Sequence, residues 1–170
     1  MIINITTKDN KTLKQVRSLS RKKDRYLNNL YFVEGVRIVK EAIEHCFEDI
    51  KYIITSETYA NKNSDFINQL DQDGKSIYTT RDSFFSDICD TETPQGIAVV
   101  LNMKKNVVPD YKNLSFILIL DGISEPGNLG TIIRTSEAAG VDAIIMTKGC
   151  TDLYNPKVVR STMGSIFRMP

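Results

Sequence analysis

The sequence predicts an α/β protein in two pieces: a small N-terminal α/β sandwich, then the first part of a second α/β domain whose strands run parallel. Three observations carry that expectation. Residues 1–103 alternate between helical and strand-like apolar spacing. A polar stretch with one proline, residues 104–113, breaks the pattern and predicts a linker. Residues 114–170 then run strand, glycine-containing turn, helix and strand, which is one βαβ unit with a right-handed connection. A domain takes about 100–150 residues, so 170 residues supply one domain and part of another, and a hydrophobic share of 41% supports a packed core.

The first 25 residues carry Lys8, Lys11, Lys14, Arg17, Arg21, Lys22, Lys23 and Arg25 against Asp9 and Asp24, although the whole chain is only +1. Leu13, Val16 and Leu19 predict one helix here with an apolar inner edge and Lys14, Arg17 and Arg21 on its other faces. Clustered cations favour phosphate through counterion release, so Lys14, Arg17, Arg21, Lys22 and Arg25 are candidate nucleic-acid contacts. A solvated basic helix is the alternative. Residues 31–34 predict a strand, Val39, Ala42, Ile43, Cys46 and Phe47 an amphipathic helix, and residues 52–55 a second strand. Ser64 predicts the N-cap of a short helix through Leu70, and residues 77–79 a third strand. Residues 81–88 predict a helix burying Phe84, Phe85 and Ile88, after which the turn Thr93-Pro94-Gln95-Gly96 returns residues 97–101 to the sheet.

In the second piece, an apolar strand at residues 116–120 runs into Asp121-Gly-Ile-Ser-Glu-Pro-Gly-Asn-Leu-Gly-Thr-Ile-Ile-Arg134, and the helix that leaves this turn ends at Gly140. Ligands of open parallel sheets bind outside the carboxyl ends of strands, so this turn is the candidate site. Asn128 is a preferred N-cap, while Leu129, Ile132, Ile133 and Ser136 face the sheet and Gly140 is a left-handed stop. Arg134 lies off that stripe, and its planar fork suits a phosphate as well as it suits water. A second strand at residues 143–146 and a helix starting near Pro156 follow.

The segment from Asp121 to Gly140 resembles the first signature motif of the SpoU/TrmH-type RNA 2′-O-ribose methyltransferases of the SPOUT superfamily, matching at Asp121, Pro126, Asn128, Leu129, Gly130, Arg134 and Gly140. Residues 155–170 resemble that family's next segment, a helix with Arg160-Ser-x-x-Gly164 leading into a short strand. Phe32-Val-Glu34-Gly35-x-Arg37 and Thr91-Glu-Thr-Pro-Gln-Gly96-Ile-Ala resemble landmarks of its substrate-binding domain. The resemblance implies an RNA substrate-binding domain like kink-turn-binding ribosomal proteins at residues 1–103, and the N-terminal part of a SPOUT methyltransferase domain at residues 114–170. It implies S-adenosyl-L-methionine as cofactor and attack by a ribose 2′-hydroxyl on its methyl group, with RNA, ribosomal RNA foremost, as substrate. It implies catalytic roles for Arg134 and Asn128 and a homodimer for the complete protein; Arg160 is a candidate phosphate contact, with a surface ion pair as the alternative. The family's later Gly-x-Glu and Ser-Leu-Asn segments, which form the C-terminal knot and most of the cofactor pocket, have no counterpart here. The expectation is therefore a shortened chain that by itself binds S-adenosylmethionine weakly or not at all and does not turn over.

Composition narrows the rest. No apolar run approaches the roughly 20 residues of a membrane span, and Met1-Ile-Ile-Asn-Ile lacks the features of a secretory leader, so a cytoplasmic location is expected. Cys46, Cys89 and Cys150 have no metal-ligand spacing, and the single His45 reads as a surface or packing residue, so no metal is expected. Two rival readings stay open: an RNA-binding module without catalysis, for which Arg134 is dispensable, and a binder of a small phosphorylated ligand at the Pro-Gly-Asn turn.

Overall fold

The structure, a computed structural model, describes residues 1–104 and 111–170, so most of the expected linker lies outside the described residues. The chain divides into two compact units, Met1–Met103 and Lys104–Pro170.

The first unit is built on a five-stranded mixed sheet. Its strands are β1 (Ile2–Ile5), β2 (Leu30–Glu34), β3 (Ile50–Ser56), β4 (Ile77–Thr80) and β5 (Ile97–Asn102), in the spatial order β1-β4-β3-β5-β2. The first three of that order pair in parallel, and β5 runs antiparallel to both β3 and β2. Strands β3 and β5 are buried almost throughout, as strands covered on both faces must be. That is why residues 97–101 of β5 read as a continuous apolar run rather than an alternating one.

Around the sheet lie α1 (Lys11–Ser18), α2 (Lys22–Asn28), α3 (Val36–Cys46), α4 (Glu57–Lys62), α5 (Ser64–Gln72) and α6 (Asp82–Ser86). Leu13, Val16 and Leu19 pack with Ile5, Tyr52, Ile54, Phe85, Ala98 and Val100 in one core cluster. Tyr52 anchors α1 further, since its hydroxyl donates to Gln15 Oε1 at 2.7 Å. The α3 helix buries Ile38, Val39, Ala42 and Cys46, and packs on β2, β3 and β5.

Four local features differ from the expectations. The basic segment forms two helices rather than one, because Arg21 takes an extended conformation (φ −90°, ψ 131°) between α1 and α2. Asn63, not Ser64, precedes α5 as its cap residue. Strand β1 pairs Ile2 to Ile5 with Ile77 to Thr80, a role that four residues ending on one polar break did not signal. The short α4 was likewise unforeseen; Ser56 caps it by accepting from the Tyr59 amide at 3.1 Å.

In the second unit, a 3₁₀ turn (Tyr111–Asn113) precedes β6 (Ile117–Leu120), α7 (Pro126–Ala138), β7 (Ala143–Met146) and α8 (Pro156–Ser161). Strands β6 and β7 pair in parallel, from Ile117 opposite Ala143 to Leu120 opposite Met146. Leu120, Leu129, Ile133 and Val158 form the core between this sheet and its helices. Asp142 fastens the start of β6, accepting from the amides of Phe116 and Ser115 and from the Ser115 hydroxyl at 2.8, 2.8 and 3.0 Å.

The short strand expected after Gly164 is absent. Residues Ser165–Phe167 form a 3₁₀ turn instead, and the Arg168 and Met169 amides both bond back to the Ser165 carbonyl. The cause is backbone geometry: Met163 and Gly164 have φ of 53° and 100°, which turns the chain back on itself. Only the Pro170 carbonyl reaches β7, accepting from the Ile144 amide at 3.2 Å.

Candidate functional site

The carboxyl ends of β6 and β7 are tied together by their own loops. Thr147, directly after β7, donates its hydroxyl hydrogen to Asp121 Oδ1 at 2.7 Å, and its amide bonds the Leu120 carbonyl at 3.0 Å. The Thr151 amide bonds the Ile123 carbonyl at 2.8 Å, and the Cys150 thiol lies 3.3 Å from the Leu120 carbonyl oxygen. Asp121 therefore fixes the two strand-end loops to each other. Sequence reading singled out Asp121 without its partner, though the strand-end rule points to Thr147 equally well.

Helix α7 begins two residues before the expected cap. Glu125 occupies the cap position without a side-chain cap bond, Pro126 is the first helical residue, and Asn128 stands inside the first turn, exposed. Proline's preset φ and missing N–H suit the first helical position, and here that outweighs the capping preference of Asn128. Leu129, Gly130, Ile133 and Ser136 form the buried stripe, and Gly140 with φ 74° ends the turn after the helix.

Arg134 is exposed, and among the described residues no hydrogen bond or ion pair engages its guanidinium. It stands about 9 Å further along the axis than Asn128 and roughly 120° around it. Those two side chains make no direct hydrogen bond to each other; they share the exposed arc that also holds Thr131 and Thr135.

The glycine of the Asn-Leu-Gly run has a packing role. A Cβ on Gly130 would stand 2.8 Å from the Val158 carbonyl oxygen and 3.0 Å from the Ser161 carbonyl carbon, both on α8. Gly130 thus lets α7 and α8 cross in close contact, and a mid-helix glycine is itself the sequence signal for such a neighbour. On α8, Asn155 caps the helix by accepting from the Lys157 amide at 2.9 Å, and Arg160, half-buried, already has an interaction within the protein. At the far end of α7, Glu137 binds Arg168 at 2.8 Å and the Ser165 hydroxyl at 3.1 Å.

The basic segment of the first unit sorts into distinct roles. Arg25 is 2% exposed, and its Nη1 donates to the Leu19 and Ser20 carbonyls at 2.8 Å each. It closes the carboxyl end of α1, so the expected nucleic-acid contact is corrected to a structural one. Arg17 is half-buried, donating to the Lys8 carbonyl at 3.2 Å beside Asp9 and Asp87. Lys14 pairs with Asp9 at 3.0 Å, both exposed, where such a pair is weak, and exposed Arg21 pairs with half-buried Asp24 at 2.5 Å. Lys22 is exposed and lies over the Tyr26 ring, 5.6 Å from its centre.

The other two landmarks meet each other. Glu34 accepts from the Asp90 and Thr91 amides at 2.9 and 3.2 Å and from the Thr91 hydroxyl at 3.0 Å, while Gln95 Oε1 accepts from the Val36 amide at 2.7 Å. Burial, and then the neighbouring Glu34, push the Cys89 thiol far above its ordinary range, so it stays protonated. Among the described residues no group of three or more His, Cys, Asp or Glu side chains is placed to hold a metal ion.

Residues 10–99 match the MRM3-like substrate binding domain, and residues 115–170 match the SpoU rRNA Methylase family. The 23S rRNA (guanosine(2553)-2′-O)-methyltransferase RlmP of Bacillus subtilis is 34% identical over 166 residues, covering 98% of this chain and 63% of that protein. Human mitochondrial rRNA methyltransferase 3 is 32% identical over 147 residues, covering 81% of this chain and 33% of its own. An rRNA methyltransferase of Sinorhizobium meliloti superposes with a TM-score of 0.86 at 27% identity, covering 99% of this chain and 64% of that one. Its AdoMet-bound structure gives 0.84 at the same identity, covering 99% and 63%. The chain thus spans less than two thirds of the length of each of these proteins. With the MRM3-like substrate binding domain matched over more than half of its length, a segment of the SpoU rRNA Methylase family following at residues 115–170, and the α/β architecture of the solved methyltransferases, the chain belongs to the proteins that carry the MRM3-like substrate binding domain.

Proposed function

We propose that the protein is a ribose 2′-O-methyltransferase acting on ribosomal RNA with S-adenosyl-L-methionine as methyl donor. In this reading residues 1–103 hold the RNA, residues 104–113 link, and residues 114–170 contribute to the methyltransferase domain. The observation that carries it is Arg134: an exposed guanidinium without a partner among the described residues, on the helix that leaves the carboxyl end of β6. Glu137, one turn on, pairs with Arg168 and not with Arg134, so the Arg134 fork is open to a phosphate.

A ribose hydroxyl is a weak nucleophile, so the site must orient it, share its proton and stabilise the oxygen as it gains negative charge. Guanidinium does not deprotonate in proteins, so a role for Arg134 as literal base is disfavoured. Its fork holds the adjacent phosphate by two parallel hydrogen bonds and places positive charge beside the forming oxyanion. Asn128, on the same exposed arc, hydrogen-bonds the ribose or the phosphate. Arg160 takes a further phosphate contact, and Lys14, Arg17, Arg21 and Lys22 add attraction for the RNA backbone.

The residues present fit one wall of a cofactor site. Gly122, two residues past β6, has φ 68°, and no heavy atom lies within 4 Å of where a Cβ would project, which leaves its backbone open to close approach. S-adenosylmethionine, when bound, supplies a methyl group activated by a positive sulfur. Dimerisation of the complete protein and a cytoplasmic location complete the proposal. The dimer is supported by Phe116, directly before β6, and Ile119 on it, which are 50% and 66% exposed.

The test uses the protein encoded by the whole gene, with labelled S-adenosylmethionine and ribosomal RNA. A 2′-O-methyl group blocks alkaline cleavage at its nucleotide, so the label is expected in alkali-resistant dinucleotides. Arg134→Ala is expected to lower kcat by about 10²–10³-fold, the cost of removing a preorganised oxyanion donor. Label in alkali-sensitive mononucleotides, or an unaffected Arg134→Ala enzyme, overturns the reading.

A further inference from the structure

Among the described residues of the first unit, the exposed large apolar side chains are Met1 and Ile2 at the chain start, and Tyr26 and Leu27 on α2. Tyr26 is 53% exposed and Leu27 77%. Scattered exposed apolar residues need no explanation, but this pair stands in a specific setting. Lys22 and Lys23, also exposed, precede them by one helical turn, so the i,i+4 spacing places each lysine beside its apolar neighbour. Lys22 already lies against the Tyr26 ring at 5.6 Å.

The opposite side of α2 is fixed. Arg25 is buried with its hydrogen bonds to Leu19 and Ser20, so the helix cannot roll to hide Tyr26 and Leu27 without stripping a buried guanidinium of its partners. Asn28 Nδ2 bonds the Asp24 carbonyl at 2.7 Å and strengthens the last turn. A short helix held this firmly presents a rigid aromatic ring flanked by cations. That is the chemistry of single-stranded nucleic-acid binding: a base stacks on the ring while lysines neutralise the neighbouring phosphates. Duplex RNA offers no free base face, so it cannot use the ring.

We propose that the outward face of α2, Lys22, Lys23, Tyr26 and Leu27, is a stacking platform for an unpaired RNA base, with Tyr26 as the ring, Leu27 as its apolar margin and the lysines on the phosphates. The inference rests on the RNA-binding role proposed above and specifies the class of RNA: an unpaired segment rather than a helix.

The test is binding of the 170-residue protein to a fluorescent 12-nucleotide single-stranded RNA, and to the duplex of the same sequence, across a salt series. Tyr26→Ala is expected to weaken the single strand about 5- to 100-fold, the range for losing one stacked base, and to leave duplex binding and the salt slope unchanged. Tyr26→Phe should keep wild-type affinity, because stacking needs the ring and not the hydroxyl. Lys22→Gln with Lys23→Gln should weaken both RNAs and reduce the salt slope by about 0.7 per charge on the single strand. With 2-aminopurine in the single strand, wild type and Tyr26→Phe should change the fluorescence of the stacked base, and Tyr26→Ala should not. If the wild type binds RNA but Tyr26→Ala binds and perturbs 2-aminopurine equally, the platform alone is overturned. If the wild type binds neither RNA, the RNA reading of this unit falls with it. Self-association abolished by Leu27→Ser, with RNA binding unchanged, would assign the patch to a second copy of the chain and refute the proposal.

Discussion

Substituting Gly130 with alanine sets two physical effects of opposite sign against each other. Alanine gains about 0.8–1.0 kcal/mol over glycine inside a helix. The new Cβ, however, would stand 2.8 Å from the Val158 carbonyl oxygen and 3.0 Å from the Ser161 carbonyl carbon, and closer still to the Ser161 Cβ. Comfortable separation for such atoms is about 3.5–4.0 Å, so α7 and α8 must part by several tenths of an ångström or more. The obstructing atoms include backbone, which cannot rotate away. Overpacking of this kind costs about 1–3 kcal/mol, and its upper half applies here, leaving a net destabilisation of about 1–2 kcal/mol. For a unit of this size that is a fall in melting temperature of about 5–15 °C. Gly127 is the internal control: it lies on the same helix, and the nearest atom to its added Cβ is 4.0 Å away, so Gly127→Ala should be neutral or mildly stabilising. Hydrogen exchange followed by mass spectrometry reads the result by segment: faster exchange is expected over residues 126–138 and 156–161 in Gly130→Ala, with the strands of the first unit unchanged. A Gly130→Ala protein as stable as Gly127→Ala would refute the close helix crossing and the packing role assigned to this glycine.

Arg25→Met keeps the buried bulk but removes two hydrogen bonds from a charged group to carbonyls, so it should destabilise the first unit by about 2–4 kcal/mol in urea unfolding; an unchanged unfolding midpoint would refute the structural role assigned to this residue. Glu34→Ala strands the Asp90 and Thr91 amides and the Thr91 hydroxyl, and is expected to cost about 1–3 kcal/mol and to speed proteolysis within residues 89–96; unchanged proteolysis would show that this loop is held by other contacts. The amides of Phe116 and Ser115 and the Ser115 hydroxyl hold the Asp142 carboxyl below its ordinary range. A carboxylate with a lowered folded value stabilises the protein fully above the unfolded value of about 3.9, and loses that contribution as pH falls through the folded one. Wild type and Asp142→Asn should therefore differ in unfolding midpoint at neutral pH and converge in acid; a constant difference from about pH 2 to 7 would refute the assignment.

Much of the architecture was legible because it rests on local signals. Apolar periodicity placed the strand Ala143–Met146 at its observed bounds, and Pro156 marked the first residue of α8, since both depend on neighbours within a turn or a pleat. Where two local rules competed, sequence reasoning chose wrongly: Asn128 was favoured as a cap, while Pro126 started the helix. The strand Ile2–Ile5 escaped notice because its partner, Ile77 to Thr80, is more than seventy residues away and nothing local records the pairing. The site divides in the same way. The motif spacing marked out Asn128 and Arg134, and both are exposed on α7, yet no property of the linear chain announced that Thr147 would tie its hydroxyl to Asp121.

By itself, then, the order of residues determined the α/β class, the family resemblance and the residue types available for phosphate chemistry, because periodicity and motif spacing are properties of the chain. Tertiary structure alone decided what each charge does. Arg25 and Lys22 are both cations of one basic run, but folding buried the first under α1 and left the second over an exposed ring. The physical reason is that a cation acts through whichever groups surround it, and those groups, the carbonyls of Leu19 and Ser20 in one case and the Tyr26 ring in the other, are brought into place only when the helices form and pack.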